Sequence, residues 1–232
     1  MMSAADVKVR LDEEGYCIVE GILSDAEVSR YTELSDPHLK RVEDNFLHLG
    51  GALNDVPELS GLVLHPLVLE VAEHLLGERF ILANNVDVMW SEPGSGAQGL
   101  HSDVPLSGMR LPWPPFATAM QAFWMLTDYT PQNGATVIVP FSQHARRPPS
   151  RPHYDTEISV LGPRGSVFIM HNALWHRRGA NTSEDQKRGT IDIFYKPWFI
   201  ARPRDAWPLV KRDVFDKLPE ALQKMLGPSV ED

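Results

Sequence analysis

His101 and Asp103 stand two residues apart in the stretch Gln98-Gly99-Leu100-His101-Ser102-Asp103-Val104. On an extended strand, side chains two apart point to one face. A neutral imidazole beside a carboxylate supplies two of the three protein ligands of a mononuclear iron site, in which the remaining positions stay open for chemistry. The third ligand has to come from elsewhere in the chain, and His176 is the candidate.

Each of these residues has a plainer reading. His-x-Asp occurs a second time, as His153-Tyr154-Asp155, directly after Arg147-Pro148-Pro149-Ser150-Arg151-Pro152. That composition predicts a surface loop, and metal ligands need packed neighbours to orient them. His171 competes with His176; five apart on one strand, the two would face opposite ways, so only one faces an interior. A lone buried histidine is by default a hydrogen-bonded core residue. His176 gains support from its downstream neighbours, because Arg188 opens the apolar run Gly189-Thr190-Ile191-Asp192-Ile193. A guanidinium fixed on a strand beside a metal suits bidentate capture of a carboxylate; otherwise it is a surface charge.

Such residues need a scaffold, and the order of elements predicts one. Residues 5–14 read as a short polar helix ended by Gly15, and Tyr16 to Gly21 as a strand. Ser24 and Glu27 have the spacing of a capping box opening a second helix. Residues 36–60 are mixed, broken by Gly50, Gly51, Asn54 and Pro57. Pro66 to Leu76 is the clearest helix, with proline in its first turn and Gly77 after its end. From Phe80 the texture changes to short strands: Phe80–Trp90, Ala117–Leu126, Ala135–Pro140, Ile158–Leu161, Ser166–Met170, one led by Trp175-His176, and Gly189–Tyr195. Asn133-Gly134 is a strong turn signal, and residues 205–225 read as helical with a break at Pro219. The expected fold is mainly β, a jelly roll or barrel with flanking N- and C-terminal helices, rather than a βαβ sheet. One domain spans 1–232, with a core at about 80–196, an N-terminal helical part over 1–79 and a C-terminal helical tail over 197–232.

Composition narrows the function. A net charge of −9 argues against a nucleic-acid partner. Cys17 is the only cysteine, which rules out an internal disulfide and a thiolate cage and fits a cytoplasmic protein. No apolar run reaches the roughly 18 residues of a membrane helix, so no membrane partner is expected. A small-molecule substrate is expected, with the protein acting as a monomer or homodimer. The proline-rich segment Pro105–Ala117 and the loop 142–157 flank the motifs and are expected to cover the mouth of the barrel. Arg146, Arg147 and Arg151 would attract an acidic substrate or simply be solvated, and Trp113 and Phe116 would pack on an apolar substrate or cap the barrel.

The motifs, taken in order, resemble the phytanoyl-CoA dioxygenase family of iron and 2-oxoglutarate dioxygenases. They are Asp12 to Leu23, His101-Ser102-Asp103, Trp124-Met125-Leu126-Thr127-Asp128, Asn133 to His144, and His176 through Arg188. The likeness runs over about residues 10–196. Within Asn133–His144, Phe141 and Gln143 depart from the family pattern. The resemblance implies a double-stranded β-helix with Fe(II) on His101, Asp103 and His176. It places Arg188 on the distal carboxylate of 2-oxoglutarate, Trp124 as a wall of the cosubstrate pocket and Gln121 nearby on the same strand. In relatives a serine often stands two residues after the distal histidine; here that place is Arg178, a second candidate for the carboxylate. Asn85 is the choice for the other carboxylate end, because Asn85, Asp87 and Met89 share one face of a strand.

The resemblance further implies consumption of O2 and 2-oxoglutarate, release of succinate and carbon dioxide, and oxidation of an unactivated C–H bond. Relatives that halogenate replace the carboxylate ligand by a small residue, so Asp103 favours hydroxylation, desaturation or ring formation. Two other classes stay open on the residues alone: a zinc hydrolase using the same ligands, which would need a base beside the metal, and a jelly-roll binding module with structural histidines. An amino acid, a natural-product scaffold and an acyl thioester are all open as substrates.

Overall fold

Local signals set the N-terminal elements. In the computed structural model, which describes residues 2–83, 86–103, 105–200 and 209–226, helix α1 (Ala4–Glu14) starts from Ser3, which shares a reciprocal capping box with Asp6. It ends at Gly15, whose φ of 86° turns the chain into strand β1 (Tyr16–Val19). Helix α2 (Asp25–Ser35) carries the capping box of Ser24 and Glu27 that the spacing predicts. After a short helix α3 (Ser60–Val63), helix α4 (Pro66–Leu76) runs from its first-turn proline to Gly77.

The N-terminal part is not wholly helical. Besides β1, residues 36–60 contain a hairpin, β2 (Lys40–Glu43) and β3 (Phe46–Gly50), turned at Asn45 with φ 57°. Asparagine tolerates that left-handed conformation better than most residues, so the turn forms without the glycine that would have announced it. The expected strand over Phe80–Trp90 is two strands, β4 (Phe80–Leu82) and β5 (Asp87–Ser91). Val86 lies between them at φ 53°, a conformation costly for a β-branched residue.

The remaining strands are β6 (Met120–Met125), β7 (Thr136–Val139), β8 (Ile158–Ser159), β9 (Val167–His171), β10 (Trp175–Arg178) and β11 (Arg188–Pro197). Antiparallel pairing orders the larger sheet β1-β9-β6-β11-β5-β3-β2, with β4 also on β11, and the smaller sheet β10-β7-β8. This is a jelly roll, the double-stranded β-helix, with helices on one flank. Short helices α5 (Arg212–Phe215) and α6 (Glu220–Leu226) lie in the C-terminal part. No single helix among the described residues is long and apolar enough to cross a membrane.

Strand alternation sorts the side chains of the larger sheet into two layers. Ala122 and Trp124 of β6, Val167 and Ile169 of β9, and Ile191, Ile193 and Tyr195 of β11 pack outward on α1 and α4 through Val7, Leu11, Val68, Val71 and Ala72. Cys17 of β1, opposite Ile169 in the pairing, is buried in the same layer. Phe123, Met125, Phe168 and Met170 point the other way and meet Ile138 of the smaller sheet. The space between the sheets is therefore apolar at one end. At the other end it is polar, and the site lies there.

Candidate active site

The ligand candidates come together through backbone pairing. His101 N–H donates to His176 O and His176 N–H to His101 O, both at 2.9 Å. This antiparallel bridge extends the smaller sheet by one edge beyond β10 and sets the two rings 4.5 Å apart between centroids. Asp103, two residues on, follows the same face: its Oδ1 lies 3.6 Å from His101 Nε2 and its Oδ2 3.2 Å from His176 Nε2. One donor atom from each of the three residues lies within 4.8 Å of the others.

The surroundings orient this set as ligands. His101 Nδ1–H donates to Gly99 O at 2.8 Å and His176 Nδ1–H to Leu174 O at 2.9 Å. Each bond fixes the tautomer that leaves Nε2 a lone pair turned toward Asp103. Asp103 Oδ2 is buried and takes no hydrogen bond, an expensive state for a carboxylate unless a cation joins it. Burial opposes its ionisation, but the neighbouring His176 and His101 outweigh burial and hold its carboxyl well below the usual range. The carboxylate of Asp103, 3.6 Å away, correspondingly raises His101. Two imidazole lone pairs and a carboxylate on one side of an open space are the donor set of a mononuclear iron centre.

The triad opens onto a cavity of about 150 Å³ lined also by Gln121, Phe123, Arg178, Arg188 and Asp192. Arg188, Thr190 and Asp192 alternate on β11, so all three point between the sheets. Arg188 is 4 % exposed. Its Nη1 donates to Thr190 Oγ1 at 2.6 Å and to the Tyr129 hydroxyl at 3.4 Å. Its Nε has no hydrogen-bond acceptor, and no carboxylate pairs with it among the described residues. Arg178 is placed differently: its Nη2 is 2.7 Å from Glu43 Oε2, its Nε donates to Gly96 O at 3.2 Å, and its guanidinium lies 4.0 Å over the Phe46 ring. Of the two cations, Arg188 is the one whose charge is unanswered. Burial, with Asp87 and Asp103 nearby, pushes Asp192 well above the usual carboxylate range, and Gln121 is its hydrogen-bonding neighbour.

Several expectations need correction. Trp124 does not wall this cavity. It is fully buried in the outer layer, edge-on to His65 at 5.3 Å, and Phe123 holds the cavity-facing place. Trp113 is buried at 2 % exposure, whereas Phe116 is exposed at 53 %. His171 and His176 do not share a strand: His171 ends β9 in the larger sheet and His176 lies on β10 in the smaller one. His153 sits in the loop its neighbours predict, 3.5 Å from Glu157. Asn85 lies outside the described residues. The residues missed are Thr190, Asp192, Tyr129 and Phe46. Thr190 and Asp192 were within reach, since they stand two and four residues after Arg188 on one strand. Phe46 carried no signal, because its hairpin was not anticipated.

Fold and site together define a jelly-roll protein that carries, on two histidines and one carboxylate, a donor set able to hold a single metal ion. A family model described as phytanoyl-CoA dioxygenase (PhyH) matches residues 11–189. The chain belongs to that family, and is with it an iron- and 2-oxoglutarate-dependent dioxygenase. Among curated proteins, dioxygenase af480 of Aspergillus fumigatus is 27 % identical over 249 residues, spanning 100 % of this chain and 76 % of that protein. Among solved structures, the non-haem α-ketoglutarate-dependent epimerase SnoN from nogalamycin biosynthesis superposes with a TM-score of 0.68 at 22 % identity, covering 84 % of this chain and 82 % of its own. HygX from Streptomyces hygroscopicus, with nickel, 2-oxoglutarate and hygromycin B bound, has a TM-score of 0.69 at 16 % identity, with 90 % of each chain covered.

Proposed function

We propose that this dioxygenase hydroxylates a small molecule at an unactivated C–H position, coupled to conversion of 2-oxoglutarate into succinate and carbon dioxide. His101, Asp103 and His176 hold the iron, which when bound supplies the oxidising chemistry. Arg188 takes the distal carboxylate of 2-oxoglutarate, assisted by the hydroxyls of Thr190 and Tyr129. The observation that carries this reading is a buried, unanswered guanidinium in the same small cavity as the metal ligands. A buried cation without a counter-ion is costly, and a dicarboxylate cosubstrate supplies the missing charge. The carboxylate ligand supports oxygen insertion over halogenation, because Asp103 fills the position a halide would need.

The test begins anaerobically, with Fe(II) and 2-oxoglutarate added to the protein. A weak visible charge-transfer band is expected with the wild type and is expected to vanish in His176→Ala and Asp103→Ala. No band with the wild type would overturn the assignment. A scaffold panel read by succinate release then identifies a substrate. A product heavier by one oxygen atom supports hydroxylation, and one lighter by two hydrogens assigns desaturation or ring closure instead.

A further inference from the structure

Resting on that reading of the site, we propose that a second cavity, walled by Leu100, Leu106, Met109, Leu111, Trp113 and Pro149, is the substrate pocket. The ligand class it takes is an uncharged, largely hydrocarbon ring scaffold.

Volume gives the first step. The cavity at the triad, about 150 Å³, is smaller than the roughly 300–1,000 Å³ of sites that enclose a drug-sized ligand. It suits a metal and a small dicarboxylate and leaves no room for a scaffold. The second cavity measures about 350 Å³, and His101 stands in the wall of both. A scaffold seated there is against one of the metal's own ligands.

Chemistry gives the second step. Among the described residues, the lining of this cavity contains no Lys, Arg, Asp or Glu; its polar groups are the His101 ring, the hydroxyls of Ser102 and Ser107 and the indole N–H of Trp113. A carboxylate, phosphate or ammonium would be stripped of water there with no charge to meet it. Of the cations of the adjoining triad cavity, Arg177 is taken up by Glu157 at 2.8 Å and Arg178 by Glu43 at 2.7 Å. Arg110 and Arg147, next in sequence to the pocket's residues, are exposed and not among those that line it. The family takes its name from a coenzyme A thioester, but among the described residues this pocket presents no cation to hold the nucleotide's phosphates.

The walls are preorganised. Trp113 N–H donates to Arg146 O at 2.8 Å, and Arg146 Nε–H donates back to Trp113 O at 2.7 Å. This clasp ties the proline-rich segment to the 142–157 loop. Trp175 Nε1–H fixes the same loop through Arg147 O at 2.9 Å. Trp113 packs with Leu106 and Ala173 in a small buried cluster. At the rim, Met109 and Leu111 are 40 % and 59 % exposed, so an entering apolar molecule meets apolar side chains first. A larger cavity of about 450 Å³, lined by His74, His144 and His171, shares no residue with the triad. Arg146 is in its wall and Trp113 in that of the proposed pocket, so the clasp stands between the two.

The experiment uses the full chain with Fe(II) and 2-oxoglutarate under anaerobic conditions. Tryptophan fluorescence is read during titration with progesterone, a neutral tetracyclic probe, and with palmitoyl-CoA. Saturable progesterone binding is expected, at least about tenfold tighter than palmitoyl-CoA. The double variant Met109→Lys/Leu111→Lys, changed only at exposed rim positions, is expected to weaken progesterone binding about tenfold or more. Met109→Ser, a milder change, is expected to weaken it several-fold if the double variant does not fold. Absence of saturable binding, equal affinity in the variants, or preference for the thioester would each overturn the proposal. The charge-transfer band separates the two readings. Progesterone binding without the band sinks the metal assignment, whereas the band without progesterone binding sinks the pocket.

Discussion

Removing Arg188 should be felt almost entirely by the cosubstrate. A charge-assisted hydrogen bond contributes about 1.5–3 kcal/mol net, so Arg188→Ala should raise the KM for 2-oxoglutarate by roughly ten- to a hundredfold. Arg178→Ala should shift it by less than about threefold, because its charge is already answered by Glu43, the solvent-exposed end of the pair. Steady-state kinetics on the two variants decide the matter, and equal effects would return Arg178 to the cosubstrate. At the same scale, His171 accepts a hydrogen bond from Ala173 N–H at 2.9 Å through Nδ1. Burial, reinforced by His144, holds it down at about 4 against an ordinary 6.5. The unfolded chain therefore takes up the proton first as pH falls. The stability tied to the neutral ring is complete above about pH 6.5 and is lost toward pH 4, at most about 3 kcal/mol. Urea unfolding across that window should show a shallower acid slope in His171→Gln. An unchanged slope would assign the acid sensitivity to other groups.

Strands and turns explain which parts of the site were legible. His101 and Asp103 were readable because a period of two is the rule of a strand, and the bridge to His176 is itself strand pairing. The same rule speaks against Trp124: it stands three residues from Gln121 on β6, so the two cannot share a face. Positional likeness to relatives overrode that local pattern. The β2–β3 hairpin was illegible because Asn45, rather than glycine, makes its turn. The break in Phe80–Trp90 was illegible because nothing in an apolar run announces the left-handed Val86. By contrast Asn133-Gly134 was a sound turn signal. Gly134 has φ 82°, and an added Cβ would lie 3.0 Å from Gly179 O. Gly134→Ala should cost about 1–3 kcal/mol and loosen the entry to β7. Gly96→Ala, with open space around it, should stay within about 0.5 kcal/mol. Thermal unfolding of the two variants checks the contrast.

At the scale of the molecule, the larger sheet divides labour between its faces. Its outer face and the helices hold the main apolar core, and its inner face presents Gln121, Arg188 and Asp192 to the cavity. Fold class followed from the sequence because short strands with tight turns leave few architectures. The partition of cavities did not, because it depends on a clasp between residues 33 positions apart.

The burial of Cys17 turns this chain into its own stopwatch. Its sulfur is enclosed in the outer layer, 3.3 Å from Met2 Sδ, and burial pushes the thiol up to about 11. Since it is the only cysteine, every molecule that reacts with a thiol reagent at neutral pH reports one opening of the packing between β1 and α1. Labelling of the native protein should be slow, and should reach the rate of a free thiol in urea. Immediate stoichiometric labelling without denaturant would contradict the enclosure. The same seclusion sets the one oxidisable thiol on the far side of the sheet from the chamber where oxygen is consumed, so catalytic turnover should leave it reduced.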